Sequence, residues 1–216
     1  MAAMENMFVM SKRPELISVL ATVDWDDRSM RERAVLESAG KYIRSGFLTI
    51  RYGNSRNKIE AINRDMDIAS KLFPDWGIIV NMSDDMEWVR KGWDDVIRDA
   101  FATDFPDLNG GIHFNDGFTG PKLCTMSIMG RPLYEDYGYI YHPSYESLFC
   151  DDEYTITAKA SGRLSYHNEV IYTHNHPNNV GGEMDALLIA TESKYSTDKV
   201  NFEKRKAEGF PNGQGV

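Results

Sequence analysis

The sequence predicts an α/β fold in one domain, a mixed, mainly parallel sheet flanked by helices, and three observations predict it. Ile78-Ile79-Val80 is an unbroken β-branched run too short for a helix, the pattern of a central strand buried on both faces in a parallel sheet. Its polarity then reverses into Ser83-Asp84-Asp85, and open α/β sheets bind ligands beyond the carboxyl ends of their strands. A helical pattern from Asn57 to Phe73 stands between strand patterns at 47–52 and 76–82, which makes a strand–helix–strand crossover.

Taken in order, Asn6 to Met10 reads as a short strand and Ser11-Lys12-Arg13-Pro14 as a basic turn. Ile17 to Val23 is a strand that ends in Asp24-Trp25-Asp26-Asp27, Met30 to Ala39 a helix with Gly40 beyond it, and Phe47 to Tyr52 a strand. The next helix has the clearest signals. Asn57 stands three residues before Glu60, the spacing of a capping box, and Ile59, Ile62, Met66, Ala69 and Phe73 recur at helical spacing before Pro74. Lys58 and Asn63 lie near its start, where backbone N–H groups favour anions. Trp93, Val96, Ile97, Ala100 and Phe101 form one buried helix face. Ile112 to Phe114 and Leu123 to Met129 read as strands, with the turn Asn115-Asp116-Gly117 between them, and Pro132 and Gly138 bracket a short helix. After a tyrosine-rich loop, Tyr137 to Tyr145, a helix opens at Cys150-Asp151-Asp152-Glu153 and runs to Lys159, with Gly162 past its end. Leu164 to Tyr172 is a last strand, closing in Thr173-His174-Asn175-His176-Pro177. Helices over 184–195 and 198–207 and a loose tail from Phe210 complete the chain.

The composition is that of an ordinary globular protein, with 42% hydrophobic and 26% charged residues. A net charge of -9 argues against a broad phosphate-binding surface but leaves room for a local basic pocket. Two cysteines without metal spacing, no secretory signal and no apolar run near ~18 residues give the expectation of a cytoplasmic protein with no membrane span.

Three carboxylate groups (24–27, 84–85 and 151–153) and the pair His174 and His176 stand at predicted strand ends or helix starts. Hard oxygen ligands with an imidazole suit Mg²⁺ or Mn²⁺, and alternate residues of a strand point the same way. For each group the plain alternative is a solvated turn or a helix cap.

The run Tyr52 to Arg64 followed by Trp76 to Asp85 resembles a GT-A-type (Rossmann-like) glycosyltransferase of the family 2 kind. Phe105-Pro106-Asp107, Asn115-Asp116-Gly117, Thr125 to Gly130, Gly138 to Tyr145, Asp151-Asp152-Glu153 and His174-Asn175-His176-Pro177 continue the likeness over roughly residues 17 to 180. The order of these segments is more specific than any one of them. The resemblance implies a metal-dependent, inverting transfer of sugar from a nucleotide-diphosphate donor, UDP favoured, to a hydroxyl acceptor, glycan or other, with a nucleic-acid acceptor left open. It places Asp24, Asp26 and Asp27 at the nucleoside, and Lys58, Asn63 and Asp84 at the nucleotide or donor sugar. It gives the divalent cation (Mn or Mg) to Asp85 and to His174 or His176. It gives the base to Asp152 or Asp151, with Glu153 beside them.

The chain departs from that pattern in two places. Ser83 replaces the first acid of the Asp-x-Asp motif, and only Glu15 and Leu16 separate Pro14 from the next strand, where a helix of several turns is expected. The first strand–helix unit is therefore missing, or Met1 to Arg13 is something else, which leaves a homodimer across an uncovered sheet face open. The expected organisation is a transferase domain over 1–183, nucleotide-binding to about 85 and acceptor-binding from about 86, with a helical extension over 184–216. A metal-dependent phosphohydrolase and a catalytically degenerate nucleotide-sugar-binding protein are the rival readings.

Overall fold

The computed structural model describes residues 2–176 and 193–211. In chain order the helices are α1 (Ala2–Met10), α2 (Arg33–Arg44), α3 (Lys58–Leu72), α4 (Trp93–Asp104), α5 (Arg131–Tyr137), α6 (Cys150–Ala160) and α7 (Tyr195–Ala207). The strands are β1 (Val19–Asp24), β2 (Leu48–Gly53), β3 (Ile78–Val80), β4 (Met86–Trp88), β5 (Gly111–Asn115), β6 (Ile128–Gly130), β7 (Leu164–Val170) and β8 (Tyr172–His174). The architecture is mixed α/β. β3-β6-β5-β7 form a four-stranded sheet in that order, and β1-β2 and β4-β8 form separate two-stranded ladders. β1 and β2 run parallel, as do β5 and β7, whereas β3–β6, β5–β6 and β4–β8 are antiparallel.

The four-stranded sheet divides the core. Ile128, Ile112 and Phe114 face one cluster with Trp88, Trp93, Phe101 and Tyr172, while Met129 faces another with Leu133, Tyr137, Tyr145 and Tyr154. β3 alternates in the same way, Ile78 and Val80 to the first cluster and Ile79 to the second, which is why its run is apolar without a break. Its place differs from the expected one. It lies at the end of its sheet, antiparallel to β6, because Ile128–Gly130 returns alongside it and Asn81 N–H donates to Ser127 O at 2.9 Å.

The strand expected over Leu123 to Met129 is only β6, Ile128–Gly130, and three further boundaries differ. Residues 6–10 belong to a helix, since Met4, Met7 and Phe8 recur at helical spacing toward the first cluster. The Asn6 side-chain amide exchanges two hydrogen bonds with the backbone of Trp88, at 2.8 and 3.1 Å, and so borders β4 as a strand would. α2 runs past Gly40 to Arg44, where Tyr42 stacks on Phe8 at 4.6 Å between ring centres, and the chain turns at Gly46 with φ 76°. The last predicted strand is two, β7 and β8, with buried Ile171 between them.

The α3 cap forms in part as predicted. Asn57 Oδ1 accepts Glu60 N–H at 2.9 Å, but the Glu60 carboxylate returns to Arg56 N–H rather than to Asn57. The helix expected over 184–195 lies outside the described residues as far as residue 192. Phe210, expected in a loose tail, is buried against Phe202, with ring centres 5.6 Å apart. No helix among the described residues is long and apolar enough to cross a membrane.

Candidate active site

The acid pair after β3 and His174 at the end of β8 are brought together by the β4–β8 ladder. Met86 pairs with His174, and Asn175 N–H donates to Asp85 O at 2.8 Å. That register sets His174 Nε2 3.1 Å from Asp85 Oδ2. Ser83, standing where an acid was expected, donates its hydroxyl to Asp85 Oδ1. Burial pushes the Asp85 carboxyl up, but the hydrogen bonds from His174 and Ser83 outweigh it and hold it at about 2. Asp84 is exposed, and the His176 ring centre lies 5.7 Å from that of His174.

An ionised carboxylate bonded to an imidazole suits Mn²⁺ or Mg²⁺ in donor chemistry. Among the described residues no three His, Cys, Asp or Glu side chains gather into a cation site. Asp85 and His174 are the two potential donors that stand together, and Mg²⁺ sites with few protein ligands are completed by substrate phosphates and water.

The second acidic group opens α6. Burial first, and then the neighbouring Asp152 charge, push the Asp151 carboxyl up to about 6 against the pull of the Lys58 ammonium. Burial also raises Asp152. Lys58 is the first residue of α3, and the acidic pair lies in the first turn of α6. Tyr141 feels the Asp151 charge and stands beside Ser127, whose carbonyl holds Asn81 at the end of β3.

Two predicted site residues have other work. Glu153 is buried in a bidentate ion pair with Arg205, 2.7 Å at both oxygens, and takes the Tyr145 hydroxyl at 2.7 Å. Asn63 binds the tyrosine-rich loop, donating to Tyr141 O at 2.7 Å and accepting Ile140 N–H at 3.0 Å. Their amide and carboxylate groups are both engaged by the fold.

Asp24 and Asp26 are exposed at the end of β1, around Trp25. Asp27 turns inward. It accepts Ser29 N–H at 2.9 Å and the Ser29 hydroxyl at 2.6 Å, and these bonds hold its carboxyl below the usual range. The Arg31 guanidinium lies over both the Trp25 and Tyr52 rings, 4.6 and 5.2 Å from their centres, and donates to Trp25 O.

Sequence reasoning missed Asp198 and Arg205, because nothing in a polar terminal helix announces a partner some fifty residues away. Asp116, read only as a turn residue, is fully buried and organises residues 116–125. It accepts Phe118 N–H, Thr119 N–H and the Thr119 and Thr125 hydroxyls at 2.7 to 3.0 Å.

No protein-family profile matches the chain. No curated protein matches it in sequence. Among solved structures, the catalytic domain of Drosophila β1,4-galactosyltransferase 7 in complex with xylobiose is similar at 14% identity, over 82% of this chain and 80% of that one, with a TM-score of 0.40. A mutant of the same enzyme with manganese, UDP-Gal and xylobiose is similar at 11% identity, over 81% and 78%, with a TM-score of 0.39. The functional reading rests on this chain's own residues.

Proposed function

We propose that the chain is a GT-A-type glycosyltransferase that moves a sugar from a nucleotide-diphosphate donor to a hydroxyl acceptor with inversion. The observation that supports it best is a division of labour between two acidic groups. Asp85 is held at about 2 and bonded to His174, an anionic chelating pair, while Asp151 is held at about 6 beside Lys58. A carboxyl poised near neutral pH is suited to general-base work, so Asp151 is the base and Asp152 the neighbour that binds the acceptor hydroxyl.

In the reaction the acceptor oxygen attacks the anomeric carbon and gives its proton to Asp151. A bond forms from that oxygen to the carbon as the bond to the diphosphate oxygen breaks, and the nucleoside diphosphate leaves with the electron pair. A divalent cation bound by Asp85 and His174, or His176, would neutralise charge on that leaving group. Lys58, at a helix N-terminus, adds positive charge on the same side. Asp24 and Asp26, with Trp25, receive the nucleoside, and Asp27 shapes their turn. The protein is read as cytoplasmic.

Calorimetric titration with UDP-, GDP- and dTDP-sugars, with Mn²⁺ and with chelator, tests the donor. Binding that needs the cation and is lost in Asp85→Ala is expected, together with transfer that needs an acceptor. Phosphate release without acceptor would select the phosphohydrolase, and binding without turnover the degenerate protein. Affinity unchanged by chelator would overturn the metal assignment.

A further inference from the structure

The segment that carries the acidic pair is gripped from one side by α7. The buried Asp198 carboxylate accepts three consecutive backbone N–H groups, from Glu146, Ser147 and Leu148, at 2.9, 2.8 and 2.7 Å. Asn201 donates to Ser144 O and Oγ at 3.2 and 2.9 Å, and Lys194 pairs with Glu146 at 2.7 Å. Past the acidic pair, Arg205 clamps Glu153 with two parallel hydrogen bonds.

Between these grips lies a strained residue. Phe149, which starts α6, has φ 61°, a left-handed conformation that a bulky side chain adopts only when its surroundings impose it. Its ring packs on Tyr195 and Phe202 of α7, with centres 5.3 and 5.5 Å away. Asp151 and Asp152 therefore sit between a forced turn and a clamped glutamate, and both restraints belong to the same helix.

We propose that α7 is a positioning element for catalysis, in which Asp198 and Arg205 hold residues 144–153 so that Asp151 and Asp152 meet the acceptor. The idea rests on the transferase reading above. The grip includes six charge-assisted hydrogen bonds or ion pairs where a helix docked only for stability needs an apolar face. They converge on the ten residues that surround the acidic pair. Asp198 and Arg205 are positioning residues, since they touch no reacting atom.

The test compares the full chain with Arg205→Met, which keeps the aliphatic stem, Arg205→Lys, which keeps one charged hydrogen bond, and Asn201→Ala at the exposed rim. Turnover should fall on the order of 10- to 100-fold in Arg205→Met, because a displacement near 1 Å costs that much in orientation. Donor affinity should stay within about twofold, and Arg205→Lys should recover part of the loss. Combining Arg205→Met with Asp151→Asn should cost no more than Asp151→Asn alone, since the positioned group is already gone. Full turnover in a folded Arg205→Met, or a loss that adds fully to that of Asp151→Asn, would overturn the proposal. Should Arg205→Met fail to fold, Asn201→Ala takes its place, with about a threefold drop in turnover on the same logic and wild-type turnover overturning it. If the wild-type chain transfers no sugar, the transferase reading fails by itself. Amide hydrogen exchange at 151–153 then decides this inference: exchange at least about tenfold faster in the variant supports the grip, and unchanged protection refutes it.

Discussion

Asp151→Asn should make the protein more stable at neutral pH while removing its turnover. The Asp151 carboxyl, ordinarily near 3.8, is raised to about 6, so the folded state disfavours its charged form. A group raised on folding contributes stability that is fully present below 3.8 and is lost as pH rises through 6. At pH 7.5 the penalty relative to the unfolded chain comes to about 3 kcal/mol, taking 1.36 kcal/mol for each tenfold change in proton affinity. Asparagine carries no charge, and its oxygen can keep the Asp152 N–H bond that Asp151 accepts at 3.2 Å. Its amide must find partners in a half-buried place, so we expect a gain of about 1–3 kcal/mol, or roughly 2–12 °C in Tm. Scanning calorimetry of both proteins at pH 7.5 and pH 4.5 measures it. The gain should be present at pH 7.5 and smaller by about 2 kcal/mol at pH 4.5, where the folded carboxyl is protonated although the unfolded one is still mostly ionised. Donor affinity should be unchanged while turnover drops on the order of 10²–10⁴-fold. A variant equally stable or less stable at pH 7.5 would show that the site does not store this charge, and the choice of Asp151 as base would fall.

Other sites give shorter tests. His113 on β5 is buried, and burial, with the Lys159 charge, pulls it down to about 4. Its neutral form is favoured on folding, so stability should fall between pH 6.5 and 4; His113→Leu should flatten that part of a urea-midpoint profile, and an unchanged slope counts against it. A Cβ on Gly130 would meet the Leu108 carbonyl oxygen, which cannot move aside, so Gly130→Ala should cost about 3 kcal/mol in chemical denaturation, and a loss under about 1 kcal/mol would contradict the packing. Asn57→Ala removes the α3 cap and should cost about 1 kcal/mol by the same assay, whereas Asn57→Asp should cost almost nothing.

Where the sequence was legible, the signal was local. The α3 cap and the bracketing of α5 by Pro132 and Gly138 each depend on neighbours within one turn of chain. The apolar run of β3 announced two covered faces, but the direction of its partner is a long-range property that periodicity does not encode. Residues 6–10 were misread because two methionines, a phenylalanine and a valine suit either period, and Asn6 satisfies a strand edge from a helix. The Asp85–His174 meeting was foreseeable, since strand ends that gather carboxylates and histidines share one rim. Asn63 and Glu153 carried polar groups of the right type at the right place, and only the coordinates reveal that loop 140–141 and Arg205 engage them.

The docking of α7 also bears on the order in which the chain matures. Asp198 and Arg205 meet their partners across 50 to 52 residues of sequence, so these bonds are closed late by a chain that emerges from its N-terminus. Until then Glu153 is a carboxylate without its guanidinium, and the Phe149 turn lacks the α7 rings that pack on it. A nascent chain interrupted before Arg205 is thus made without the restraint on its acidic pair. Synthesis and competence for chemistry are coupled through the helix that arrives last among the described elements.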